Sequence, residues 1–151
     1  MKKGLLITVA GLLTVGAIAL LLRRVNPIIG RIISPFGYRT NPVTGKYEFH
    51  NGVDITASTG TPVKCPEHGV VFLKYNNAVG GNQLIIKHKG LYSGYAHLSS
   101  YLVNDKQIVK KGQIIAYTGA TGQVTGPHLH FTILDKNATA VNPENYFDFK
   151  T

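Results

Sequence analysis

The chain has 151 residues, 44% of them hydrophobic and 15% charged, a length and balance that suit one folded domain and exclude a disordered chain. Sixteen basic against seven acidic residues leave a net charge of +9, which favours an anionic partner: nucleic acid, anionic lipid or an acidic cell-wall polymer. The positive charge is scattered and no nucleic-acid-binding motif is visible, so nucleic acid is not the expected partner; the single cysteine, Cys65, excludes an internal disulfide and a Cys-rich zinc site.

The chain opens MKKGLLITVAGLLTVGAIALLLRR, with Gly4–Leu22 uncharged and mostly apolar between two lysines and two arginines. As a helix this stretch spans roughly 28 Å, close to the hydrocarbon core of a bilayer. Residues 1–24 are therefore expected to form one transmembrane helix. The competing reading is a cleaved signal peptide ending near Ala17-Ile18-Ala19, against which stand the leucines and arginines that follow. Basic residues flank both ends, so the positive-inside rule nearly ties. Residues 25–35, punctuated by Pro27, Gly30 and Pro35, read as a short linker.

From Phe36 the text becomes short apolar-rich runs between turns. Gly69–Tyr75, Gln83–His88, Leu91–Ala96, Gln113–Thr118 and Leu129–Leu134 read as strands, with Asn76–Asn82, His88–Gly90 and Lys110–Gly112 as turns. No amphipathic helix stands out. The expected fold of residues 36–149 is mainly β, antiparallel, a sandwich or partly closed barrel. Cys65 reads as a small buried residue.

The chemistry concentrates in the histidines. In TGPHLHF, Thr125–Phe131, the flanking residues favour a strand, so His128 and His130 project side by side from one face. Two such imidazoles suit one metal ion, or one ligand beside one proton carrier. Far upstream, HNGVDI places His50 and Asp54 about a turn at Asn51-Gly52. An imidazole and a carboxylate are ordinary zinc ligands. With one histidine of the later pair they complete three protein ligands and leave a position for water, the pattern of a catalytic zinc site. His97, in GYAHLSS, reads as a strand-end histidine. His68 and His88 sit beside turn glycines and read as turn or surface residues.

Six stretches together resemble the M23 zinc endopeptidases, the lysostaphin or LytM family. They are FGYRTNP, HNGVDI, GTPV, YAHLS, KKGQIIAYTGATG and TGPHLHF, in that order over residues 36–147. The resemblance implies a lysostaphin/LytM-type β fold and a zinc-dependent endopeptidase that hydrolyses peptide cross-links or bridges of bacterial peptidoglycan. It implies His50, Asp54 and His130 as the ligands of one zinc ion, and His97 and His128 as the catalytic histidines that handle protons. His128 is the favoured base, with Tyr47 or Tyr95 as candidate oxyanion donors. No catalytic position is missing, which matters because the family also contains zinc-free activators of other hydrolases. That inactive wall-binding or activator module is the first alternative. A lipoyl-type carrier domain is the second, echoed at Val109–Ile115 but without a modifiable lysine at a hairpin tip. The expected location is the cell envelope, or the membrane of a membrane-containing virion. The N-terminal helix would lie in the membrane and the domain on the wall side, for wall remodelling or for penetration by a virus. Both pentaglycine bridges and D-alanyl–diaminopimelate cross-links fall within the family's range, and neither is singled out by the residues; nor is an oligomeric state.

Overall fold

The computed structural model describes residues 24–150. The expected membrane anchor falls, apart from Arg24, outside them; among the described residues no helix is long and apolar enough to cross a membrane.

The described chain is built from strands, in order β1 (Ile32–Ser34), β2 (Gly37–Thr40), β3 (Tyr47–His50), β4 (Val53–Thr56), β5 (Pro62–Lys64), β6 (Gly69–Asn77), β7 (Gly81–Lys87), β8 (Leu91–Tyr101), β9 (Ile108–Val109), β10 (Ile114–Thr118), β11 (His128–Asp135) and β12 (Ala140–Val141). A 3₁₀ turn, Pro143–Asn145, follows. Ten strands form one sheet whose main path runs β1-β4-β11-β8-β7-β6-β9, with β10 joining β8 to β5 and β12 alongside β11. β2 and β3 form a separate two-stranded sheet. The pairings are antiparallel. The architecture is therefore mainly β, as the alternating runs predict. Its layers come from a single branched sheet that bends at β8: β11 pairs with the first part of β8, through Ala96, and β10 with its end, Leu98–Tyr101.

Alternation makes the core. Along β11 the residues Leu129, Phe131 and Ile133 are fully buried while His128, His130 and Thr132 take the other face. Val53, Ile55, Leu84, Ile86, Tyr95, Leu98 and Ile115 meet them inside, with Cys65 fully buried among them. Phe147 and Phe149 close the core with edge-on and tilted ring contacts to Phe131 and to each other.

The linker expected at 25–35 is instead packed onto the domain. Val25 N–H donates to Pro66 O at 3.0 Å, Lys64 N–H to Pro27 O at 2.8 Å and Gly30 N–H to Phe149 O at 3.0 Å. Ile28 is buried, and β1 pairs with β4. The prolines and glycine that suggested a connector cap a three-residue strand whose partner lies some twenty positions away.

Candidate metal centre

Three adjacent strands and one hairpin end bring the site together. In the register of β4 and β11, His130 lies opposite Asp54. On the other side of β11, His130 lies opposite Ala96 of β8, with His97 next in line. His50 is the last residue of the β2–β3 hairpin, and Asn51-Gly52 carry the chain from that small sheet into β4. Gly52 is needed there because a Cβ would lie 2.4 Å from Phe131 O and 2.8 Å from Thr132 Cγ2. The turn thus lies flat on β11, and His50 and Asp54, on different sheets, converge.

The converging atoms form a tight triangle. His50 Nε2 lies 3.0 Å from His130 Nδ1 and 3.2 Å from Asp54 Oδ1, and His130 Nδ1 lies 2.8 Å from the same oxygen. A tetrahedral zinc ion with bonds near 2.0–2.1 Å has ligand–ligand edges of about 3.3 Å, so the triangle is within a few tenths of an ångström of one face. Each imidazole is oriented from behind. His50 Nδ1 donates to Pro35 O at 2.8 Å, and His130 Nε2 faces Asn51 Oδ1 at 3.2 Å. In the tautomer that gives both outer nitrogens their protons, the inner nitrogens present lone pairs to each other and to a carboxylate oxygen. Three acceptors at this spacing are placed to share one cation. A backing acceptor that fixes the tautomer is also what metal-bound histidines ordinarily have. Among the described residues, His50, Asp54 and His130 are the cluster that could hold a metal ion; the donor set fits zinc.

The charge states agree. Burial pushes the Asp54 carboxyl up, but its close contacts with His130 and His50 outweigh it and hold the group well below the usual carboxylate range. Burial pushes His130 down, against the attraction of Asp54. The carboxyl is thus ionised and the imidazole neutral, the forms that ligate metal.

His97 and His128 stand beside the triangle, their rings 4.7 Å apart. His128 Nδ1 donates to Gly126 O and His97 Nδ1 to Thr121 O, each at 2.9 Å. Both Nε2 atoms are left as acceptors, and that of His128 is 3.7 Å from Asp54 Oδ1. Burial, more than the neighbouring histidines, lowers His97 to about 4. His97 is not the strand-end residue expected: β8 continues through it to Tyr101, with His97 at φ 62°. That left-handed residue kinks the strand where the sheet bends, a strained conformation of the kind found at functional sites.

The two tyrosines proposed as oxyanion donors lie elsewhere. Tyr95 is in the core with its hydroxyl 2.9 Å from Ser93 Oγ. Tyr47 is 74% exposed and stacked on Tyr38, on the hairpin face opposite His50. His88 is not a surface residue: it is 5% exposed, bonded to His68 O and Ser93 Oγ. Strand β7 alternates Leu84, Ile86, His88 inward, so the burial runs one step past the strand's end.

One residue of the site went unassigned in the sequence. Arg39 of β2 shares the inward hairpin face with Glu48 and His50, and its Nη2 lies 3.6 Å from Asp54 Oδ2. Alternation from His50 across the hairpin points to it. Arg39, His50, Asp54, His97, His128 and His130 all line one groove of about 300 Å³. A larger cavity, of about 930 Å³, lies between residues 24–29 and 146–148 and carries none of these groups.

A β-sheet groove with two oriented imidazoles beside a His-Asp-His triangle defines a metallohydrolase-type centre. Residues 48–143 match the model described as Peptidase family M23, and the chain belongs to that family. It is 45% identical over 100 residues to the peptidoglycan DD-endopeptidase ShyB of Vibrio cholerae, covering 66% of this chain and 24% of that protein. Among solved structures, a zinc-containing peptidase from Vibrio cholerae superposes with a TM-score of 0.71 at 39% identity, over 80% of this chain and 39% of that one. The catalytic domain of lysostaphin from Staphylococcus simulans also gives 0.71, at 33% identity, over 81% of this chain and 93% of that one. The chain spans about a quarter of the length of the curated relatives it matches.

Proposed function

We propose that the protein is a zinc-dependent endopeptidase that hydrolyses peptide cross-links in bacterial peptidoglycan. The observation that carries this is the triangle of His50 Nε2, Asp54 Oδ1 and His130 Nδ1, three acceptors within 3.2 Å of one another. The similarity to ShyB supports the substrate and the D,D configuration of the bond.

When bound there, zinc would supply Lewis acidity, polarising a scissile carbonyl and acidifying a water. The chain's own residues do the rest. His50, Asp54 and His130 hold the ion. His128, whose Nδ1–H is fixed on Gly126 O, takes the proton of the attacking water at Nε2 and returns it to the leaving amine. His97, kept neutral by burial and with its proton committed to Thr121 O, is an acceptor in the groove. It orients the O–H or N–H that faces it and does not donate to an oxyanion. Two adjacent rings cannot both be charged cheaply, so a neutral His97 leaves the single proton to His128.

The reading also places the domain on the wall side of a membrane, held by residues 1–24, with peptidoglycan as its partner; the net charge of +9 suits an anionic wall. Purified full-length chain is expected to hold about one zinc and to release new amines from isolated peptidoglycan, with a chelator abolishing release. A folded chain that binds zinc and releases none would sink the enzyme reading in favour of a wall-binding module.

A further inference from the structure

The guanidinium of Arg39 is a cation without an adequate partner. Its one hydrogen bond runs from Nη1 to Thr40 O at 3.5 Å, the outer limit of such a bond. Nη2 is 3.6 Å from Asp54 Oδ2, an ion pair beyond hydrogen-bond distance. Nε is buried with no partner at all. The side chain is only 17% exposed, and water does not reach Nε.

The neighbours explain why the charge stays open. Glu48 lies directly opposite Arg39 in the hairpin register and on the same face, the position of a cross-strand salt bridge. Instead, its carboxylate accepts from Asn41 Nδ2, and no ion pair joins it to Arg39. Asp54 points its other oxygen, Oδ1, into the His triangle. Among the described residues, Arg39 is also the one lysine or arginine lining the groove. A planar fork of donors, poorly satisfied and set next to the proposed scissile position, is built for a carboxylate.

We propose that Arg39 determines specificity by binding a carboxylate that the substrate carries on the carbon next to the scissile nitrogen. The inference rests on the peptidase reading above and deepens it. It selects cross-links in which the residue giving the leaving amine bears a free carboxylate on that same carbon, and it selects against uncharged glycine bridges.

The test uses zinc-loaded full-length chain and two probes: a short stem-peptide mimic ending in D-alanyl-D-alanine with a free carboxylate, and the same peptide as its carboxamide. The wild type is expected to favour the carboxylate by about 10- to 100-fold in kcat/KM, the range of a hydrogen bond to a charged group. Arg39→Met is expected to bring the ratio near one while keeping one zinc per chain and the wild-type circular dichroism. Arg39→Lys keeps the charge but not the fork and is expected to restore part of the preference. Equal use of the two probes by the wild type overturns the proposal. So does an Arg39→Met chain that loses zinc and slows on both probes alike, for then Arg39 acts through Asp54. Amine release from isolated peptidoglycan decides the peptidase reading separately; a wild type that releases amines there but cleaves neither probe keeps that reading. The proposal is then decided by calorimetric binding of the same two peptides: tighter carboxylate binding that Arg39→Met abolishes upholds it, and equal binding overturns it.

Discussion

Two groups of buried polar side chains sit in this domain and they solve opposite problems. Near the end of β7, His88 Nδ1 donates to His68 O, Ser93 Oγ lies 2.7 Å from His88 Nε2, and Tyr95 OH lies 2.9 Å from Ser93 Oγ. Every proton there has an acceptor: ring to carbonyl, serine to ring, tyrosine to serine. In the groove, His50 and His130 turn their protons outward, and bare nitrogens converge on a carboxylate oxygen. The first set is closed and needs nothing. The second is arranged to hold a cation. Burial and hydrogen bonding are common to both, so neither marks a functional histidine; the balance of donors and acceptors does.

Removing ligands should break the contrast most sharply. His130→Ala, His50→Ala and Asp54→Asn are each expected to abolish zinc retention, measured by metal analysis after dialysis, and to drop peptidoglycan hydrolysis to background. His128→Ala comes next. Loss of a general base typically costs about 10²- to 10⁴-fold in rate, and zinc should remain at one per chain. If His128→Ala sheds zinc, the division between ligand and proton carrier is wrong.

Much of the centre was legible because strand geometry is simple. Residues two apart share a face, so the pairing of His128 and His130 follows from their spacing, and Asn51-Gly52 marks the turn between His50 and Asp54. What was not legible depended on tertiary pairing. β1 has three residues, and only its partner β4 makes it a strand. The inward turn of His88 lay one alternation beyond the apolar run. Tyr95 lies two residues from His97 but points into the core, because the kink at His97 breaks the alternation that would relate them. Arg39 stood in a motif whose importance was visible, yet its face could be assigned only through the hairpin register with Glu48.

Gly52→Ala tests the link between the two sheets. The added Cβ would press on the backbone of β11, and overpacking of this kind costs about 1–3 kcal/mol. Chemical denaturation should show the loss, and zinc affinity should fall with it because the turn sets the distance from His50 to Asp54. Ser93→Ala tests the closed set. It strands His88 Nε2 and Tyr95 OH in the core, at a cost of about 1–3 kcal/mol. Zinc content and kcat/KM should stay at wild-type values in the folded chain. A comparable stability loss, with zinc affinity lowered in one variant and unchanged in the other, separates the two regions.

The smallest effect is a pH dependence. Burial lowers His88 below its ordinary value of 6.5 despite the raising effects of its bond to His68 O and of the Glu67 charge. The folded ring therefore stays neutral where the unfolded ring has begun to bind a proton. The unfolded state holds more protons across that interval, so stability rises with pH there. The contribution is fully present above pH 6.5 and is lost as pH falls from 6.5 toward the lower folded value. Urea midpoints at pH 7.5 and 5.5 should show a drop for the wild type and a smaller drop for His88→Gln, which has no proton to take up. The subtraction between the two chains removes the groove histidines, which both share. An equal drop in both would mean that His88 is not the group that feels the acid, and that the closed set holds its protons without help from burial.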